Sequence, residues 1–156
     1  MRTRLFLYVI PPMLALAACL PAIAPRTQGS DAILPSAQGT ASCQVTRVID
    51  GDTVDLRCAG SSTALRARLM GFDTPETYEP RCAAEANLGQ RATRRLRNLV
   101  RQSVRTDVQF DGIDRYDRRL VRLRLDGRDV GDILIAEGVA LPYGGGRRPD
   151  WCARLG

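Results

Sequence analysis

Three short stretches of this chain gather carboxylates and arginines. The first is Asp50-Gly51-Asp52-Thr53, the second is Arg68 followed by Asp73-Thr74-Pro75-Glu76, and the third is Asp114-Arg115-Tyr116-Asp117-Arg118. Carboxylate and carbonyl oxygens are the ligands that a hard divalent cation takes. Guanidinium forks match the geometry of a phosphate oxyanion. A glutamate beside them has the reach and the basicity to take a proton from water. Each stretch also has a plainer reading. Asp-Gly-Asp is good turn chemistry, Asp-Thr-Pro-Glu is a turn or the start of a short helix, and the third stretch is a solvated loop whose charges pair locally. An EF-hand is excluded at Asp50–Asp55, because the oxygen spacing and the closing glutamate of that loop are missing.

Composition narrows the chemistry. The chain has 156 residues, enough for one domain with its own core, and a formal net charge of +6. Every basic residue is arginine, and the histidine count is 0. Ser-His-Asp triads, Cys-His pairs, histidine-bound zinc and histidine-dependent nucleases are thereby excluded. Catalysis, if present, runs on Asp, Glu, Arg, Tyr, Cys and a metal ion.

The elements that must position these residues follow from periodicity. CQVTRVI and TVDLRC flank Asp50-Gly51-Asp52, a hairpin signal. A third strand over 64–72 sets Leu65, Ala67 and Leu69 toward a core, which puts Arg66 and Arg68 on the other face. Residues 83–102 change to helical spacing, with Ala84, Leu88, Ala92, Leu96 and Leu99 on one face. The arginines of that helix are read as a solvated face ahead of a nucleic-acid stripe. TDVQF is a fourth strand, DGIDRYDR a loop, RLVRLRLDG a fifth strand, and RDVGDILIAEG a short helix that Gly138 terminates. The closing stretch, LPYGGGRRPDWCARLG, is expected to be loop-like. The order β-β-β-α-β-β-α suits an α+β fold built on a five-stranded OB-type barrel, with the helix plugging its open end.

The N-terminus has the form of an export signal. Arg2 and Arg4 precede an apolar run too short to span a membrane comfortably, and the run closes on Leu16-Ala17-Ala18-Cys19. This is the pattern of a bacterial lipoprotein signal, so residues 1–18 are expected to be removed and Cys19 to carry lipid. Ala22-Ile23-Ala24 offers a competing ordinary cleavage site. Residues 19–42 lack periodicity and read as a tether, with the domain spanning 43–156. Export permits disulfides. With Cys19 set aside, four cysteines allow three pairings, and the expected one joins Cys43 to Cys58 and Cys82 to Cys152.

VIDGDTVDL, RARLMGFDTPET and DRYDRRL resemble the staphylococcal nuclease (thermonuclease) family, in the same order and at similar intervals. The resemblance runs from about Cys43 to about Tyr143. It implies hydrolysis of phosphodiester bonds in DNA or RNA with one Ca²⁺. By the same resemblance, Asp52, Asp73 and the carbonyl of Thr74 hold the calcium, with Asp50 close behind. Glu76 is the general base, and Arg68 and Arg118 grip the phosphate. Tyr116 and Tyr143 are candidates for stacking on bases or touching the phosphate. The third motif departs from the family in having Asp117 where glycine is usual. A carboxylate there is expected to pair with Arg118, and to tolerate a positive φ better than most side chains. The alternative is a catalytically weak or inactive nuclease-like OB module that binds nucleic acid or protein; a binding-only module has no need of all five of Asp52, Arg68, Asp73, Glu76 and Arg118. A monomer exported to the cell envelope, touching the membrane only through its N-terminal lipid, completes the expectation.

Overall fold

A computed structural model describes residues 42–156. The signal segment, Cys19 and most of the tether lie outside the described residues. The Asp-Gly-Asp hairpin forms as its sequence requires: β1 (Cys43–Val48) pairs antiparallel with β2 (Thr53–Cys58), and Cys43 stands directly opposite Cys58. That register closes the Cys43–Cys58 disulfide. Val54 and Leu56 of β2 point inward and are completely buried, while Arg57 of the same strand faces solvent.

β3 (Leu65–Leu69) runs antiparallel to β2 and parallel to β6 (Arg119–Leu125). β5 (Thr106–Ile113) pairs antiparallel with β6, giving a curled mixed sheet of order β1-β2-β3-β6-β5, with the two-residue β7 (Arg128–Asp129) on β6. The edge strands β1 and β5 touch, without ladder pairing among the described residues. Alternation in β6 is strict: Val121, Leu123 and Leu125 are buried, and Arg122 and Arg124 are exposed.

α1 (Ala83–Gln102) covers one side of the sheet through Leu88, Ala92 and Leu96. Three of its five arginines have protein partners: Arg95 pairs with Glu137 at 2.7 Å, Arg97 donates to the Val48 carbonyl, and Arg101 donates to Asn98. α2 (Val130–Ala136) is capped by Asp129, whose side chain accepts from the Gly131 N–H. Gly138, at φ +69, ends it: its N–H reaches Ile135 and that of Val139 reaches Leu134, the paired bonds of a left-handed glycine cap. No helix among the described residues is long and apolar enough to cross a membrane.

Three sequence expectations need correction. The strand expected over 64–72 is two strands, β3 and β4 (Gly71–Asp73), because Gly71 takes φ +92 and redirects the chain. The loop expected from Asp111 starts later, since β5 continues through Ile113 across a bulge between Phe110 and Gly112. The closing stretch is structured. β8 (Leu141–Tyr143) pairs antiparallel with β4, and α3 (Trp151–Leu155) is capped by Asp150. The Cys82–Cys152 bridge ties α3 to the residue capping α1, closing a sequence separation of 70. A bridge over so long a loop removes more chain entropy from the unfolded state than Cys43–Cys58, with its separation of 15.

Candidate active site

A cleft of about 540 Å³ opens where these strands end. Asp50 and Asp52 reach it from the β1–β2 turn, Arg68 from β3, and Thr74 and Glu76 from the corner after β4. Tyr116 and Arg118 come from the β5–β6 loop, and Tyr143 from β8. Eight of the nine residues expected at the site therefore line one cleft. The ninth, Asp73, is completely buried beneath it.

The floor is a tight network. Gly51 is required there, since a Cβ would lie 2.6 Å from the Thr74 hydroxyl oxygen. That close approach lets Asp52 meet the next corner. Its Oδ2 accepts from both the backbone N–H and the hydroxyl of Thr74 at 3.1 Å, and pairs with Arg68 Nη1. Arg68 bridges onward, with Nη2 at 3.2 Å from Asp73 Oδ1 and 3.2 Å from the Phe72 carbonyl. Burial pushes the Asp52 carboxyl upward and, with Asp50 adding to the rise, prevails over Arg68 and the Thr74 N–H, which pull it down. Asp50 accepts from the Asp52 N–H at 3.0 Å, which fixes the turn.

Two residues that sequence reasoning missed complete the floor. Arg148 Nε donates to Asp73 Oδ1 at 2.7 Å, and its Nη2 donates to the Thr74 carbonyl at 3.3 Å. The buried indole N–H of Trp151 donates to Asp73 Oδ2 at 2.9 Å. Both lie in the tail, far from Asp73 in sequence, and a lone tryptophan beside the tail cysteine was the available signal.

Glu76 lies at the cleft wall. Its Oε1 accepts from the N–H groups of Thr77 and Tyr78, and its Oε2 stands 3.5 Å from Arg148 Nη1. Burial works to raise its pKa, but the Tyr78 and Thr77 N–H groups and Arg148 outweigh that and hold it below the usual range. Glu76 is thus ionised at neutral pH and able to accept a proton.

The rim is the β5–β6 loop. Arg118 pairs with Asp114 through Nη2 at 2.7 Å and Nε at 2.8 Å, and Asp114 also accepts the N–H groups of Tyr116 and Arg118. The partner of Arg118 is therefore Asp114 and not Asp117, as had been expected. Asp117 does take the positive φ, at 59°, which turns its side chain to solvent. The guanidiniums of Arg115 and Arg118 lie 4.9 and 5.5 Å from the Tyr116 ring centroid. Tyr143 donates its hydroxyl to the Gly146 carbonyl at 2.6 Å.

The donor set of Asp52, Asp73 and the Thr74 carbonyl is of the kind a hard divalent cation takes. As arranged, its oxygens already accept protein donors. Among the described residues, no three of Asp50, Asp52, Asp73 and Glu76 bring carboxylate oxygens within 4.8 Å of one another. Among the described residues the grouping that does converge is Cys82, Glu85 and Cys152, and its sulfurs are joined in a disulfide.

A family model described as "Staphylococcal nuclease homologue" matches residues 66–149, more than half of the chain. The chain belongs to this family. It is 36% identical over 97 residues to "Endonuclease YncB" of Bacillus subtilis (strain 168), a match covering 60% of this chain and 44% of that protein. It is 34% identical over 97 residues to the "Thermonuclease" of Staphylococcus hyicus, covering 62% and 56%. An "Uncharacterized endonuclease" of Escherichia coli O157:H7 is 32% identical over 101 residues, covering 64% and 60%. The chain thus spans about half the length of the curated relatives it matches. The family match includes Arg68, Asp73, Thr74, Glu76, Arg118 and Arg148, and begins after Asp50 and Asp52.

Proposed function

We propose that the protein is a Ca²⁺-dependent nuclease that hydrolyses phosphodiester bonds of DNA or RNA outside the cytoplasm. The observation that carries this reading is the single cleft into which separate chain segments bring Arg68, Glu76 and Arg118 beside Asp52 and Thr74. Family membership supports the same reaction. The fold reading that accompanies it is an OB-type barrel whose five main strands are β1-β2-β3-β6-β5.

A phosphodiester is an anion, and its transition state gathers charge on the phosphoryl oxygens. Arginine forks held close to that position answer the charge with bidentate geometry. Arg118 presents its guanidinium from the rim, and Arg68 sits at the floor. Glu76 takes the proton of the attacking water. The water oxygen forms a bond to phosphorus, one P–O ester bond breaks, and the leaving oxygen gains a proton from solvent. Asp52, Asp73 and the Thr74 carbonyl would hold calcium, with Asp50 behind them. When bound, the ion would supply Lewis-acid stabilisation of the phosphoryl charge. Tyr143 and Tyr116 stand on the cleft wall, where they are suited to contact the nucleotide. Export as a lipid-anchored monomer, with lipid on Cys19, is part of the proposal. Mass spectrometry of membrane-extracted protein should show the diacylglyceryl increment, and an unlipidated mass would remove the anchor.

The oxidised protein is expected to degrade single-stranded DNA with Ca²⁺ and to stop when a chelator is added. A folded sample that binds the strand without cutting it would instead favour the binding-module reading.

A further inference from the structure

Arg148 stands out because its three acceptors are the residues assigned to catalysis. Its Nε holds Asp73 Oδ1, its Nη2 holds the Thr74 carbonyl, and its Nη1 faces Glu76 Oε2. Two of these are metal-ligand candidates and the third is the candidate base. Asp73, under the two guanidiniums and the Trp151 indole, has no opening to the cleft.

The two arginines at this site differ in how they are held. The Arg68 side chain is 11% exposed and rises from a central strand between β2 and β6. The Arg148 side chain is 49% exposed and lines the cleft beside Gly146. Upstream, Gly145 and Gly146 take φ +106 and +87, conformations that only glycine adopts cheaply. Downstream, Trp151 is buried and Cys152 is bridged. Arg148 therefore lies on a segment pinned on one side and pivoted on glycines on the other. Its head has solvent at hand when its contacts break.

Asp73 Oδ1 already accepts from both Arg68 and Arg148, which takes up its two lone pairs, so a divalent ion that binds this oxygen must displace one guanidinium, and the more exposed Arg148 is the one free to leave. We propose that Arg148 is the resident cation of this site, that a divalent metal binds only by displacing it, and that this exchange sets the metal affinity. The proposal rests on the calcium-dependent nuclease reading. It adds that Arg148 occupies Asp73, Thr74 and Glu76 whenever metal is absent.

The test is a Ca²⁺ titration of the full oxidised chain by calorimetry, with the emission of Trp151, the single tryptophan, as a second signal. Arg148→Gln is expected to bind calcium about tenfold more tightly than the unaltered protein, a difference of about 1.4 kcal/mol. Arg148→Lys, whose ammonium is a point charge that does not span three acceptors, is expected to fall between them. It carries the same prediction if the glutamine variant does not fold. Calcium affinity equal to or weaker than that of the unaltered protein in either folded variant overturns the proposal. A role in packing alone predicts that outcome. Cleavage of single-stranded DNA, run in parallel, separates the two readings. Equal affinities with cleavage intact remove the role of Arg148 and leave the nuclease standing. No calcium binding and no cleavage in any form removes both.

Discussion

The floor and the rim of the cleft are built on different principles. On the floor, Asp52 and Asp73 are buried, at 4% and 0% exposure, and their carboxylates meet donors from three separate parts of the chain. On the rim, Arg118 is held by Asp114 from within its own loop, four residues away, and its side chain is 30% exposed. Buried charges of this kind are costly to orphan, whereas a local pair near solvent is cheap to open. The floor is thus suited to hold a fixed geometry, and the rim to close on a flexible polymer. The lesson is that the same residue types serve stability in one half and adaptability in the other.

The sharpest way to break this comparison is to remove Asp73. Asp73→Ala leaves Arg68, Arg148 and the Trp151 indole without their shared acceptor, and should cost about 3–5 kcal/mol in urea unfolding. Asp114→Ala should cost less, about 1–2 kcal/mol, since a local pair and two backbone N–H contacts near solvent are lost and water can replace them. Comparable losses at the two positions would erase the distinction between floor and rim.

A smaller change in stability but a large one in rate is expected at the rim. Arg118→Gln should lower turnover of single-stranded DNA by about 10²–10³-fold, the range for one charge-stabilising donor. Its unfolding free energy in urea should fall by no more than about 1 kcal/mol, since only a local ion pair near solvent is lost. A lost midpoint with proportionate loss of rate would make Arg118 a structural residue.

Much of this division was legible before the structure. Asp52, Asp73 and Glu76 stand at strand ends marked by glycine and proline, and the alternation of β2 and β6 put their neighbours in the core. The partner of Arg118 was misread because adjacency in sequence pointed to Asp117. Its left-handed backbone sends that side chain outward, and the loop folds Asp114 back instead. The tail was missed for a different reason. β8 has 3 residues and α3 has 5, too few for a periodic signal. Arg148 reaches Asp73 across 75 positions, a contact that only the tertiary fold creates.

The smallest expected effect is on pH. Burial pushes Asp114 upward, but the N–H and guanidinium of Arg118 and the N–H of Tyr116 outweigh it, leaving its pKa below the usual value. A depressed carboxylate contributes stability above its unfolded pKa of about 3.9 and loses it as pH falls through the lower folded value. Amide signals of Tyr116 and Arg118 should therefore hold steady from neutral pH to about 5 and move only in stronger acid. Movement near neutrality would mean that Asp114 does not hold the loop.

The central claim is that floor and rim together form one hydrolytic site. Its most direct measurement compares cleavage of single-stranded DNA by the oxidised protein and by folded Glu76→Gln, with Ca²⁺ and with chelator. The account predicts calcium-dependent cleavage that Glu76→Gln loses while still binding the strand. Cleavage at full rate by Glu76→Gln, or none by the unaltered protein, would contradict it.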